Sequence, residues 1–306
     1  MRKISVFIIC LVLLCAVFGG CSDQTSAQIA ATTLPVYEFT TRLCQGTPLQ
    51  VTRLVTEEVS CLHDYTLNVN QVKAAEAAET IVISGAGLEE FLDDILSGKE
   101  IIDASRDIRL ISSEEDHHGH DHEHDTDEHN EDPDEHKGHH HDQDPHIWLS
   151  PDNAIQMAGN ICSGLAARYP SYYDIFHANL EALHTDLQQL RDYGSAQLSA
   201  LSCREIITFH DGFAYLADAY RLTILDAIEE ESGSEASAKE LIHMIEEVTI
   251  HHLPAIFTEK SGSVSAAGII ARETGAKEFT LDMAMSGESY FDAMYQNIDT
   301  LKEALQ

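Results

Sequence analysis

Glu205-Ile206-Ile207-Thr208-Phe209-His210-Asp211-Gly212-Phe213-Ala214-Tyr215 compresses a strand, a loop and the start of a helix into one short stretch. The β-branched and aromatic run at 205–209 reads as a buried strand. Gly212 then opens a helical segment that extends to Tyr220. A strand that passes directly into a helix predicts a parallel neighbour reached by a helical crossover. In open sheets of this kind ligands sit beyond the carboxyl ends of the strands. His210 stands at that position, which makes it the first candidate binding residue.

The same alternation extends in both directions. Upstream, strands are expected at 28–33, 49–55, 80–84 and 108–111, with helices at 35–43, 69–78 and 88–96. Downstream, strands at 222–228, 255–258 and 277–281 alternate with helices at 237–252, 264–274 and 289–305. Between the two series lie a helix at 151–169, ended by Pro170, and an uninterrupted helical pattern at 171–201. Leu180, Leu183, Leu187, Leu190 and Leu198 form its apolar stripe, and Gly194 is expected to bend it. The fold class is therefore α/β: two Rossmann-like lobes with parallel sheets, joined by a long rigid helix. The expected divisions are an N-terminal lobe at 28–170, the linking helix at 171–201 and a C-terminal lobe at 202–306.

Composition narrows the function. Ten histidines and fourteen acidic residues crowd 114–144, against one lysine, Lys137. Such a tract cannot build a core and reads as a disordered loop. It can collect divalent transition metals, because neutral imidazole suits zinc, copper and nickel. The formal charge of −34 argues against nucleic acid and anionic lipid as electrostatic partners. At the other extreme, Arg2, Lys3 and the apolar run 4–18 predict a signal peptide over 1–20. A polar tether follows at 21–27.

Four cysteines remain beyond the signal region and Cys21, namely Cys44, Cys61, Cys162 and Cys203. An even number in an exported chain, with spacing unlike a zinc knuckle, predicts disulfides. Pairing Cys44 with Cys61 and Cys162 with Cys203 keeps each bridge short, but the three pairings stay open. Of the eight histidines outside the tract, His63, His146 and His210 lie in loops beside strand ends, and Asp282 follows a strand directly. His177, His184, His243, His251 and His252 lie on or just past helices and read as surface or packing residues.

Several segments together resemble the metal-binding solute-receptor lipoproteins of ABC importers (cluster 9, or A-I), most closely their zinc-binding branch. These are Ala31-Thr32-Thr33-Leu34-Pro35-Val36-Tyr37, Cys61-Leu62-His63-Asp64-Tyr65, Asp144-Pro145-His146-Ile147-Trp148-Leu149-Ser150-Pro151, Phe209-His210-Asp211-Gly212-Phe213-Ala214-Tyr215 and Leu281-Asp282. Val17-Phe18-Gly19-Gly20-Cys21 resembles the family's lipobox, in which Cys21 is lipidated. Leu62 stands where the family usually has proline, and Met283-Ala284 depart from its usual turn. The resemblance implies a metal site in the interlobe cleft, made of His63, His146, His210 and Asp282, two from each lobe, with Glu259 as the reserve carboxylate. Three imidazoles and one carboxylate suit tetrahedral Zn²⁺, whereas the manganese branch usually replaces the third histidine by glutamate.

The implied protein is not an enzyme but an extracytoplasmic, lipid-anchored monomer that captures Zn²⁺ and delivers it to a cognate ABC permease in a bacterial membrane. The alternatives are a manganese receptor of the same family, a zinc-dependent hydrolase and a surface adhesin. A hydrolase needs an open metal position for water, which four protein ligands do not leave.

Overall fold

Short β-branched runs, each too brief to stand alone, become strands here because helices cover both faces of the sheets they form. The computed structural model describes residues 27–59, 62, 65–112, 143–227, 236–260 and 265–306. The expected signal peptide, nearly all of the tether, Cys21, Cys61, His63 and almost the whole histidine tract lie outside the described residues.

The first half runs β1 (Ile29–Ala31), α1 (Leu34–Leu43), β2 (Val51–Arg53), α2 (Val69–Ala77), β3 (Thr80–Ile83), α3 (Asp93–Leu96) and β4 (Glu100–Asp103). It is followed by α4 (Pro151–Arg168) and α5 (Tyr173–Gln197). The second half runs β5 (Glu205–Thr208), α6 (Ala214–Tyr220), β6 (Thr223–Ala227), α7 (Ala238–Ile250), β7 (Ala255–Glu259), α8 (Ser265–Thr274), β8 (Lys277–Leu281) and α9 (Tyr290–Leu305). The sheets are ordered β2-β1-β3-β4 and β6-β5-β7-β8, with every pairing parallel. The halves thus repeat one topology, and in each the chain reverses direction across the sheet beside its first strand. That reversal opens the crevice in which such sheets bind ligands.

Local chemistry sets the element ends. Pro35 and Pro151 occupy the first turns of α1 and α4, where a missing N–H costs nothing. Asn68 with Gln71, and Ser237 with Glu240, close reciprocal capping boxes on α2 and α7. The linking helix α5 spans 25 residues, about 37 Å at 1.5 Å per residue. Its buried stripe is Phe176, Leu183, Leu187, Leu190 and Gly194.

The apolar core does not stop at the lobe boundary. One cluster runs from Leu34 and Phe39 in the first half, through Trp148 and the α5 stripe, to Leu281, Met285 and Tyr290 in the second. Polar ties reinforce it. Leu34 N–H donates to Met285 O at 3.0 Å, and the Arg53 guanidinium donates to Gly287 O at 2.7 Å. Tyr290 donates from its backbone to Glu38 at 2.7 Å and from its hydroxyl to Trp148 O at 2.8 Å.

Three sequence expectations need correction. The fourth strand of the first sheet is Glu100–Asp103, not 108–111. It is an edge strand, so one covered face suffices, and of its two isoleucines only Ile102 is buried. The later segment turns at Asp107 (φ 59°), and Ile111 N–H donates to the Tyr215 hydroxyl at 3.0 Å rather than to a strand. The helix expected at 88–96 is split into a single tight turn, Glu90–Leu92, and the short α3. Its start is pulled out of register because the Glu89 carboxylate turns inward to accept from Ser84 N–H, Gly85 N–H and the Thr32 hydroxyl.

Gly194 lies within α5. A Cβ there would meet the Tyr220 ring at 2.3 Å, so the glycine serves close packing between helices. The third correction concerns the cysteines: Cys44, Cys162 and Cys203 are free thiols. Cys162 lies 4.0 Å from His177, near the start of α5, whereas Cys203 lies past its end, where neighbouring Arg204 donates to Leu198 O. The helix holds the two roughly 30 Å apart, far beyond disulfide reach.

Candidate metal centre

The strand β5 delivers His210 into the crevice, as its sequence predicts. Thr208 Oγ1 donates to His210 O at 3.1 Å and fixes the loop, leaving the imidazole 3% exposed. Gly212 is required beside it, since a Cβ would come within 2.7 Å of both His210 Cδ2 and Met283 Cε. Glu259, at the end of β7, is buried, and its Oε2 lies 4.0 Å from His210 Nδ1.

His146 comes from the other side. It precedes a tight turn, Ile147–Leu149, whose three side chains are fully buried. Trp148 Nε1 donates across the cleft to Met283 O at 2.7 Å, so the turn is locked against the second lobe. Asp144 Oδ1 takes two bonds, from His146 backbone N–H at 2.8 Å and from His146 Nδ1 at 2.7 Å. A ring bonded through Nδ1 to a carboxylate presents Nε2 for a further partner. His146 Nε2 is buried with no hydrogen-bond partner among the described residues. The His146 and His210 rings meet edge to face, with centroids 5.4 Å apart and planes at 79°.

A further brace holds this pair. The Tyr215 hydroxyl accepts from Ile111 N–H and donates to Asp144 O, both at 3.0 Å. Burial pushes that phenol up to about 12, so it stays a neutral donor. Asp144 N–H returns a bond to Ile111 O at 2.9 Å, and Ser112 bridges Gln143 in antiparallel fashion. The histidine-rich segment therefore leaves and re-enters the fold at one point, directly under the Asp144–His146 pair. Sequence reasoning gave Asp144 and Tyr215 no role. The only available signal was the placement of Asp144 two residues before the histidine.

Asp282 follows β8, and its backbone is clasped by Asn297 at 2.8 and 2.7 Å. One carboxylate oxygen accepts from Ala284 N–H at 2.8 Å, capping a turn in which Ala284 takes φ 53°. The other lies 3.1 Å from Lys260 Nζ. His63 is outside the described residues, but the chain around it is anchored. Leu62 is buried, and Tyr65 N–H donates to Leu62 O at 3.1 Å. Glu57 accepts from the Tyr65 hydroxyl and from Gln71, both at 2.8 Å.

Of the four expected ligands, then, two imidazoles from opposite lobes are brought together. Among the described residues no group of three or more His, Cys, Asp or Glu side chains is arranged to hold a metal. Four of the five histidines read as surface or packing residues are engaged elsewhere. His177 stacks on Tyr173, His184 donates to Ile155 O, and His243 and His251 face Asp226 and Glu205.

Comparison with known proteins places the whole fold in a family. Residues 29–304 match the family model described as zinc-uptake complex component A, periplasmic (ZnuA). The zinc-binding lipoprotein AdcA of Streptococcus pneumoniae is 31% identical over 321 residues, covering 99% of this chain. This chain spans only 61% of that relative's length. Among solved structures, a crystal structure of ZnuA superposes with a TM-score of 0.75 at 26% identity, covering 92% of this chain and all of the other. The Zn(II)-bound ZnuA-like domain of S. pneumoniae AdcA gives 0.72 at 27% identity, covering 90% of this chain and 98% of that domain. The family resemblance drawn from the motifs and the two-lobed α/β architecture are both borne out, and the chain belongs to the ZnuA family of zinc-uptake components.

Proposed function

We propose that this protein is an extracytoplasmic receptor that captures Zn²⁺ between its lobes and hands it to an ABC permease. The reading is carried by the buried His146–His210 pair, with one ring oriented by Asp144 and presenting an unpartnered Nε2. His63 and Asp282 complete the ligand set, giving three imidazoles and a carboxylate in the tetrahedral arrangement zinc favours. Glu259 faces the Nδ1 side of His210 and serves as its orienting carboxylate rather than as a ligand. Four protein ligands leave no position for an activated water, so the site binds and releases rather than catalyses. Cys21 carries the lipid that holds the receptor at the membrane, and the monomer is the working unit.

Native mass spectrometry of protein lacking 115–142, with zinc and manganese in competition, tests the proposal. The expected result is one retained zinc, lost in His146→Ala and His210→Ala, with only weak sites removed by the deletion. Retention of zinc in both histidine variants, or preferential retention of manganese, overturns it. Loss of the tight site on deletion alone would make the tract part of the site.

A further inference from the structure

Lys260 occupies a position that metal capture does not explain. It follows Glu259 at the end of β7, and its backbone N–H donates to Leu281 O at 3.0 Å, which sets it beside Asp282. Its ammonium lies 3.1 Å from Asp282 Oδ2 and 4.0 Å from Glu58 Oε1. Glu58 belongs to the first lobe, just before the loop that carries His63. One half-exposed cation thus reaches a carboxylate on each side of the cleft.

We infer that Lys260 is a resident competitor for the Asp282 carboxylate, which an incoming divalent cation displaces toward Glu58. The inference rests on the proposed ligand set, in which Asp282 binds the metal. A carboxylate oxygen with an ammonium at 3.1 Å cannot also give its full charge to zinc, and two cations sharing one carboxylate repel each other. The metal enters by taking Oδ2, while Oδ1 stays bonded to Ala284 N–H and keeps the turn in place. The displaced ammonium has an acceptor within a side-chain swing, because Glu58 already stands 4.0 Å away.

Two consequences follow for a receptor that must also let go. Return of Lys260 to Asp282 assists release, so the lysine sets affinity below the maximum the ligands allow. Its move to Glu58 also strengthens a link between the lobes in the loaded form, which distinguishes loaded from empty protein at the cleft mouth. Lys260 and Glu58 are therefore positioning residues, acting on the metal through Asp282.

The test is zinc affinity by competition with a fluorescent chelator, together with the rate of zinc transfer to excess chelator, on the full chain. Lys260→Gln should bind zinc roughly fivefold more tightly and release it correspondingly more slowly, the scale of a partly exposed ion pair. Lys260→Arg should restore wild-type behaviour. Glu58→Gln should bind more weakly, because the displaced lysine loses its second acceptor. The double variant Lys260→Gln/Glu58→Gln should match Lys260→Gln alone. A merely structural lysine would give the opposite sign, weaker binding in Lys260→Gln, and that result or an unchanged affinity overturns the inference. A double variant as weak as Glu58→Gln also overturns it, since Glu58 would then be acting on the metal directly. Failure of the wild-type protein to bind zinc tightly would instead sink the proposed function.

Discussion

On the proposed function, replacing Asp144 isolates the physical step on which metal capture would depend, the orientation of His146. Its Oδ1 holds the ring nitrogen at 2.7 Å and the backbone N–H at 2.8 Å, in a site where Asp144 is 7% exposed. A buried hydrogen bond to a charged group is worth about 1.5–3 kcal/mol, which at 1.4 kcal/mol per decade is roughly ten- to a hundredfold. Carboxylates behind metal-ligating histidines independently fall in about the same range. The ring keeps its edge contact with Trp148, at 5.4 Å, so it is loosened rather than released. Asp144→Asn, whose amide oxygen can still accept both bonds, should weaken zinc binding by about tenfold. Asp144→Ala, which removes both, should approach the hundredfold end. Zinc titration by isothermal calorimetry against a competing chelator gives the affinities. Chemical unfolding in the absence of zinc should leave Asp144→Asn near wild type, separating orientation from folding. An Asp144→Ala affinity within about twofold of wild type would refute the reasoning, because a ring that depended on this carboxylate would lose more than that.

Other outcomes follow from packing and burial. Gly194→Ala gains about 1 kcal/mol of helix propensity but drives a methyl into the Tyr220 ring, costing about 1–3 kcal/mol. Chemical denaturation should show net destabilisation that Tyr220→Leu partly relieves, whereas a more stable Gly194→Ala would show that the contact yields freely. The Glu89 carboxyl is pushed by burial from 4.5 up to about 7. A value raised in the folded state means the native protein holds a proton that the unfolded chain has released. That contribution is full below pH 4.5 and is lost as pH rises through about 7. Between pH 5 and 8 the stability of wild type relative to Glu89→Gln should therefore fall by up to about 3 kcal/mol. A pH-independent difference would assign Glu89 one charge state throughout.

Much of the site could be read from local pattern because its chemistry is local. The run at 205–209 had to be a strand, and a histidine directly after it had to stand at a carboxyl end. Asp144-Pro145-His146 carried its own orienting carboxylate two residues away, although the bond itself was visible only in three dimensions. The strand Glu100–Asp103 was missed because an edge position asks for one buried side chain, and Ile102 alone leaves too weak a period to detect. The cysteines misled because an even count says nothing about distance, and α5 holds Cys162 and Cys203 at its two ends.

The order of residues alone determined the alternation of strands and helices, the parallel sheets this forces, the long linking helix and the histidine just past the end of β5. Each depends on periodicity or caps within a few residues. Tertiary structure alone decided that His146 and His210 face each other at 5.4 Å, that Tyr215 braces Asp144, that Glu259 lies behind His210 and that Lys260 sits on Asp282. These pairs are separated by 64, 71, 49 and 22 residues, respectively. Proximity across such distances comes from how two separately wound sheets pack against one helix, and no local signal encodes it.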